Sequence, residues 1–162
     1  MADFEYKDTI DYKKLDALGN RVDEILIGYP TGMIHTSPEG ESDMAEDARK
    51  LSFGMGNYPA RPFLEDGMES GKAEISHAIE IHYKKLAETG TGNLERIART
   101  AVKSIQKFVR SGAYRETAPN SPATIYKKST RQKGKYLQSD IPLIDTGQMI
   151  NSLTSVINGE RK

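Results

Sequence analysis

Residues 93–111 read NLERIARTAVKSIQKFVRS, and no other stretch narrows so sharply what this chain can become. Leu94, Ile97, Ala98, Ala101, Val102, Ile105, Phe108 and Val109 recur at i, i+3 and i+4, the spacing of one helix face. Asn93 is a good N-cap, and Gly112 can take the left-handed conformation that ends a helix. Glu95 in the first turn and Arg110 in the last suit the helix macrodipole. A helix with so continuous an apolar stripe must be covered, so the rest of the chain has to supply a layer against it, with Ile105 and Phe108 in the core.

The remaining segments supply candidates for that layer. Phe63 to Glu88 reads as a second long helix, with Leu64, Met68, Ile75, Ala78, Ile79, His82 and Leu86 on an imperfect stripe and a break expected near Gly67–Gly71. Glu24-Ile25-Leu26-Ile27-Gly28-Tyr29-Pro30 and Leu153-Thr154-Ser155-Val156-Ile157 read as strands. Residues 31–42, rich in Gly, Ser, Thr and Pro, read as an exposed loop, after which Ser42 caps a short helix carrying Met44, Ala45, Ala48 and Leu51. Ser121-Pro122 opens another short helix, roughly 122–129, with proline at the first helical position. Asp145, with Gln148 three residues on, reads as a capping-box start for a last helix that turns Met149, Ile150 and Leu153 inward. A short N-terminal helix is expected around Tyr12, Leu15, Leu18 and Val22. The fold class is therefore α+β: two long helices and shorter helices packed on a small antiparallel sheet. One domain spans 1–162, with the first ten residues and the basic loop 129–141 expected to move.

Composition excludes several function classes. Lys+Arg and Asp+Glu are 23 each, so no net field steers the chain to nucleic acid or anionic lipid. The chain has no cysteine, which removes a disulfide framework, a thiolate nucleophile and Cys-ligated zinc. No apolar run approaches the ~18 residues of a membrane-spanning helix, and the first residues lack a signal-peptide core, so a soluble intracellular protein is expected. Hydrophobic residues are only 36% and mean hydropathy is −0.62. A chain this polar has either a small core with much loop, or a core completed by assembly.

Catalytic chemistry is sparse. His77 and His82 lie five positions apart on one helix and diverge by roughly 140°, too far to share a metal. His35 stands alone in the 31–42 segment, and no nucleophile-elbow, P-loop, zincin or EF-hand pattern occurs. Gly90-Thr91-Gly92 is most simply a helix connector. The best nucleic-acid candidate is the run Lys127 to Lys135, in which Lys127, Lys128, Arg131, Lys133 and Lys135 could touch phosphates between Tyr126 and Tyr136. A solvated loop balancing the acidic N-terminal third explains the same run. Arg61-Pro62-Phe63-Leu64 serves two arrangements equally, a rigid turn presenting Arg61 and Phe63 at an interface or a helix start that tucks Phe63 inward.

An ordered set of segments completes the reading. Ile27-Gly28-Tyr29-Pro30 is followed by Pro59-Ala60-Arg61-Pro62-Phe63-Leu64, then Ala118-Pro119-Asn120-Ser121-Pro122-Ala123-Thr124 with Lys127-Lys128, and last Pro142-Leu143-Ile144-Asp145-Thr146-Gly147-Gln148-Met149 leading to Asn151-Ser152-Leu153. Together these resemble the neck and tail-completion proteins of long-tailed bacteriophages, the virion morphogenesis or head–tail joining family. The chain departs from that pattern at Ser52-Phe53-Gly54-Met55-Gly56 and in the longer basic insertion between Lys128 and Ile141. The resemblance implies a structural virion protein, made in the host cytoplasm and built into the neck or tail region. It implies no enzymatic activity and no cofactor or metal. The partners implied are copies of the chain in a ring-like homo-oligomer and other neck, tail or connector proteins, with any DNA contact incidental and no membrane. The interaction residues it points to are Arg61, Phe63, Asp145, Thr146, Gly147 and Gln148. The rival is a DNA-binding module acting through 127–135.

Overall fold

A computed structural model describes residues 23–37, 40–131, 140–145, 147–157 and 160–161. In chain order the elements are β1 (Ile25–Gly28), β2 (Ile34–Ser37), β3 (Gly40–Asp43), α1 (Met44–Phe53), α2 (Phe63–Ser70), α3 (Lys72–Thr89), α4 (Leu94–Arg110), α5 (Pro122–Arg131), α6 (Gln148–Asn151), β4 (Thr154–Ile157) and β5 (Glu160–Arg161). The fold class is α+β, as the sequence implies. The proposed helix around residues 12–22 lies outside the described residues.

The α4 helix is the centre. Asn93 accepts a hydrogen bond from the Arg96 N–H at 2.9 Å, and Gly112 takes φ 77° just beyond the last turn. Ile97, Ala98, Ala101, Ile105 and Val109 are buried along its length. On one side α4 packs against α2 and α3, and on the other against β1 and β4. Ile105 meets Met44, Phe63, Met149, Ile150 and Leu153 in the core cluster. Phe108 is only half-buried, set edge-to-face on Tyr114 with ring centroids 5.6 Å apart. The stripe therefore splits, with Ile105 in the core and Phe108 at its margin.

The long helix expected from Phe63 to Glu88 divides at Gly71 into α2 and α3, within the window its glycines suggested. Those glycines also do something periodicity does not reveal. A Cβ on Gly67 would lie 2.7 Å from the Ile105 Cα, and one on Gly71 would lie 2.1 Å from the Ser104 hydroxyl. They let α2 and α4 cross at a separation that larger residues would forbid.

Strands β1 and β4 pair antiparallel, with Ile25 opposite Ile157 and Gly28 opposite Thr154. β5 adds to the free side of β4, giving the order β1-β4-β5. Ser155 and Ile157 are buried while Thr154 and Val156 are half-exposed, the alternation of a sheet with one covered face. The 31–42 segment is not a loop. It forms the β2–β3 hairpin, with Ile34 opposite Asp43 and Ser37 opposite Gly40. Short polar side chains hid these strands because their pairing draws on neighbours rather than on apolar alternation. Nor does Ser42 cap α1. Asp43 does, accepting from the Glu46 N–H at 3.0 Å, while Ser42 donates to Asp47.

Gly67→Ala tests the α2–α4 crossing. In an open helix the change would stabilise by up to about 1 kcal/mol. Here the methyl group meets backbone, so urea melts should show a loss of about 1–3 kcal/mol.

Candidate functional site

Two cations, Arg61 and Lys128, are buried. Arg61 sits between Pro59 and Pro62, its N–H bonded to the Leu51 carbonyl at 2.9 Å, and is only 4% exposed. Its Nε donates to the Ala118 carbonyl at 2.9 Å and its Nη2 to that of Pro119 at 3.0 Å. Arg61 is therefore turned inward onto the backbone of 118–119, and Phe63, fully buried, takes the inward arrangement. The second cation comes from α5. Ser121 accepts from the Thr124 N–H at 3.2 Å and starts that helix, as its Ser-Pro pair suggests. Ile125 and Lys128, three residues apart, share its inner face, and Lys128 is 7% exposed. The Lys128 ammonium donates to the Ile141 carbonyl at 3.0 Å and also to the Ile144 carbonyl. Lys128 is thus turned away from the exposed basic run and toward the inner side of α5.

Between those carbonyls Leu143 holds φ 64°, a left-handed conformation that disfavours a side chain by roughly 1–2 kcal/mol. It persists because the surroundings over-determine it. Lys128 gathers the carbonyls on both sides of the turn, and Ile141 and Pro142 are buried beside it. Burial lowers the pKa of Arg61. Burial is also the main influence lowering that of Lys128; Asp145 opposes it, the Arg61 charge adds to it, and Asp140 opposes it more weakly. Asp140 is itself engaged, 2.8 Å from the Arg115 Nε.

Together the two cations tie down residues of 57–61, 119–124, 143–145 and 147–149 around a cleft of about 690 Å3. Its walls include Tyr58, Pro119, Pro122, Leu143, Asp145 and Met149. The expected capping box is not formed here. Gly147, at φ 78°, is the N-cap of α6, which has no side-chain cap, so Gln148 is the first helical residue. Gln148 instead reaches β2, where its Oε1 accepts from the Thr36 N–H at 3.3 Å and its Nε2 donates to the Ile34 carbonyl at 3.1 Å. One carboxamide thereby continues the hairpin's hydrogen bonding. Gly147 is needed for its backbone conformation rather than for close approach, since a Cβ there would lie 3.4 Å from the Asn151 Nδ2, ordinary contact. Asp145 is half-buried in the cleft wall.

Thr146, Lys133 and Lys135 lie outside the described residues, as does the side chain of Arg131, while Lys127 is exposed on α5. The sequence reading missed Leu143, Tyr58 and the inward turn of Lys128. The one available signal was the i, i+3 spacing of Ile125 and Lys128.

The histidines do not assemble a reactive centre. His35 is in β2, with its Nδ1 3.0 Å from the Asp47 carboxylate. Ser42 donates to the same carboxylate oxygen at 2.5 Å. Serine and histidine thus both bond to the acid instead of to each other, so the imidazole is not placed to take the serine proton. His82 is buried with its Nε2 3.4 Å from Asp23, while His77 is largely exposed. Among the described residues no three His, Cys, Asp or Glu side chains converge as metal ligands. No described helix is long and apolar enough to cross a membrane. Comparison with models of protein families, with curated proteins and with solved structures finds no match to this chain.

The loop-clamping role of Lys128 predicts opposite outcomes for neighbouring lysines. Lys128→Met leaves two carbonyls unsatisfied and should lower unfolding free energy by about 1–3 kcal/mol. Lys127→Met, on the exposed face of the same helix, should stay within about 0.5 kcal/mol. Paired thermal and urea melts read the difference.

Proposed function

We propose that this chain is a structural protein of the bacteriophage neck, needed for tail completion and head–tail joining and working without enzymatic activity. The observation that carries the reading is convergence. Described residues of 59–64, 118–124 and 142–149, the segments that bear the resemblance, are far apart in sequence yet line one cleft, tied by Arg61 and Lys128 through backbone carbonyls. Bonds of that kind set loop shape and perform no chemistry.

Beside the cleft the chain carries material for contact. Phe53, the last residue of α1, is 70% exposed, and Tyr58 at 56% and Met55 at 40% lie on the turn that follows. That turn is stiff: Gly54 takes φ 68°, and a Cβ there would lie 2.6 Å from the Ala60 nitrogen. Aromatic residues and methionine exposed beside so closely packed a turn suit a protein interface. Equal numbers of acidic and basic residues argue against a role built on net charge. The assembled form on this reading is a ring-like homo-oligomer that contacts connector and tail proteins in the virion.

A phage defective in this gene, complemented with the wild-type chain or with Phe53→Ser/Tyr58→Ser, tests the proposal. The wild-type chain should restore joined particles. The double variant should melt like wild type but leave heads and tails separate under electron microscopy. Joined particles in the absence of the chain would overturn the proposal. So would a strictly monomeric protein that binds duplex DNA with a log–log salt slope of about −0.9 per phosphate neutralised.

A further inference from the structure

Arg61 and Lys128 face the same cleft, and among the described residues their bonds go only to backbone carbonyls. A guanidinium has five N–H donors and an ammonium three, so donors remain on both. Carbonyl oxygens carry partial charge, whereas each of these side chains carries a full one in a low-dielectric setting. The one carboxylate among the described lining residues is Asp145. It lies outside ion-pair distance of the Lys128 ammonium and leaves the two cations in excess. A buried charge without a close counter-charge is a strong local source of field, because water does not screen it. The cleft is also much larger than a simple anion needs, and most of its exposed wall area is apolar, with Tyr58, Pro122 and Met149 set among polar side chains.

We propose that this cleft receives an acidic segment of a partner protein, with a Glu or Asp carboxylate directed at Lys128 and an apolar neighbour seated among Tyr58, Pro122 and Met149. The cations give sign selectivity and the apolar wall selects a peptide over a free anion. Asp145 in the wall disfavours a continuous polyanion such as nucleic acid. This occupant rests on the assembly role above and specifies what the cleft contributes to it.

The test uses the full chain, isotope-labelled for NMR, titrated with acetyl-Leu-Glu-Leu-amide, its Gln counterpart and a short oligothymidylate. The acidic peptide should shift resonances within 57–61, 119–124 and 143–149. It should bind at least about tenfold more tightly than the Gln peptide, a difference of about 1.4 kcal/mol. Asn57→Trp, which fills the cleft mouth without touching either cation, should abolish the shifts while leaving the melting temperature unchanged. Lys128→Met, where it folds, should remove the Glu-over-Gln preference. Equal binding of the two peptides, shifts elsewhere, no shifts, or preference for the oligonucleotide would each overturn the proposal. Peptide binding by a chain that joins no virion would overturn the assembly role alone. Joined virions without peptide binding would overturn the cleft assignment alone.

Discussion

The close crossing of α4 over α2 is the constraint from which the other elements take their positions. At that crossing Ile105 lies over Gly67, and the absence of a side chain on the glycine sets the separation of the two helices. With α2 this close, the buried stripe of α4 can extend from Ile97 to Val109 while its other side still faces the sheet. Phe63 at the start of α2 and Met44 at the start of α1 then meet Met149, Ile150 and Leu153 in one cluster. The crossing helices and a three-stranded sheet thus share a single small core.

The second level of organisation is polar. Residues from three stretches that join the helices border one cleft, and apolar contact alone would not fix the shapes of those stretches. Arg61 and Lys128 do so by donating to the carbonyls of Ala118, Pro119, Ile141 and Ile144. Tyr114 adds a tie of the same kind, donating to Asp66 at 2.6 Å and linking the turn after α4 to α2. Its pKa is raised, first by burial and then by that bond, so the phenol stays protonated and remains a donor. Burying a charged group is expensive, and breaking such an arrangement by removing one member is worse than never having built it. These residues are therefore better understood as specifying loop geometry than as adding to overall stability.

What the amino-acid sequence determined by itself was most of what local periodicity sets and some of what local capping sets, although Ser42 and Asp145 do not cap the helices they precede. The α4 stripe, the Asn93 and Ser121 caps, proline at the first position of α5, the interruption at Gly71 and the strand character of 25–28 and 154–157 were all legible, because each depends on residues within a turn or two. What only the tertiary structure decided was the direction of long polar side chains. Lys128 could equally have pointed to solvent, and two carbonyls more than a dozen residues away drew it inward. Gln148 could have capped its own helix, but the β2 edge lay within reach and offered a donor and an acceptor together. The β2–β3 hairpin was illegible for the same reason, since its strands lack apolar alternation and rest on Asp47 and Gln148. A flexible polar side chain has several partners of similar energy, and only the folded backbone determines which one is near.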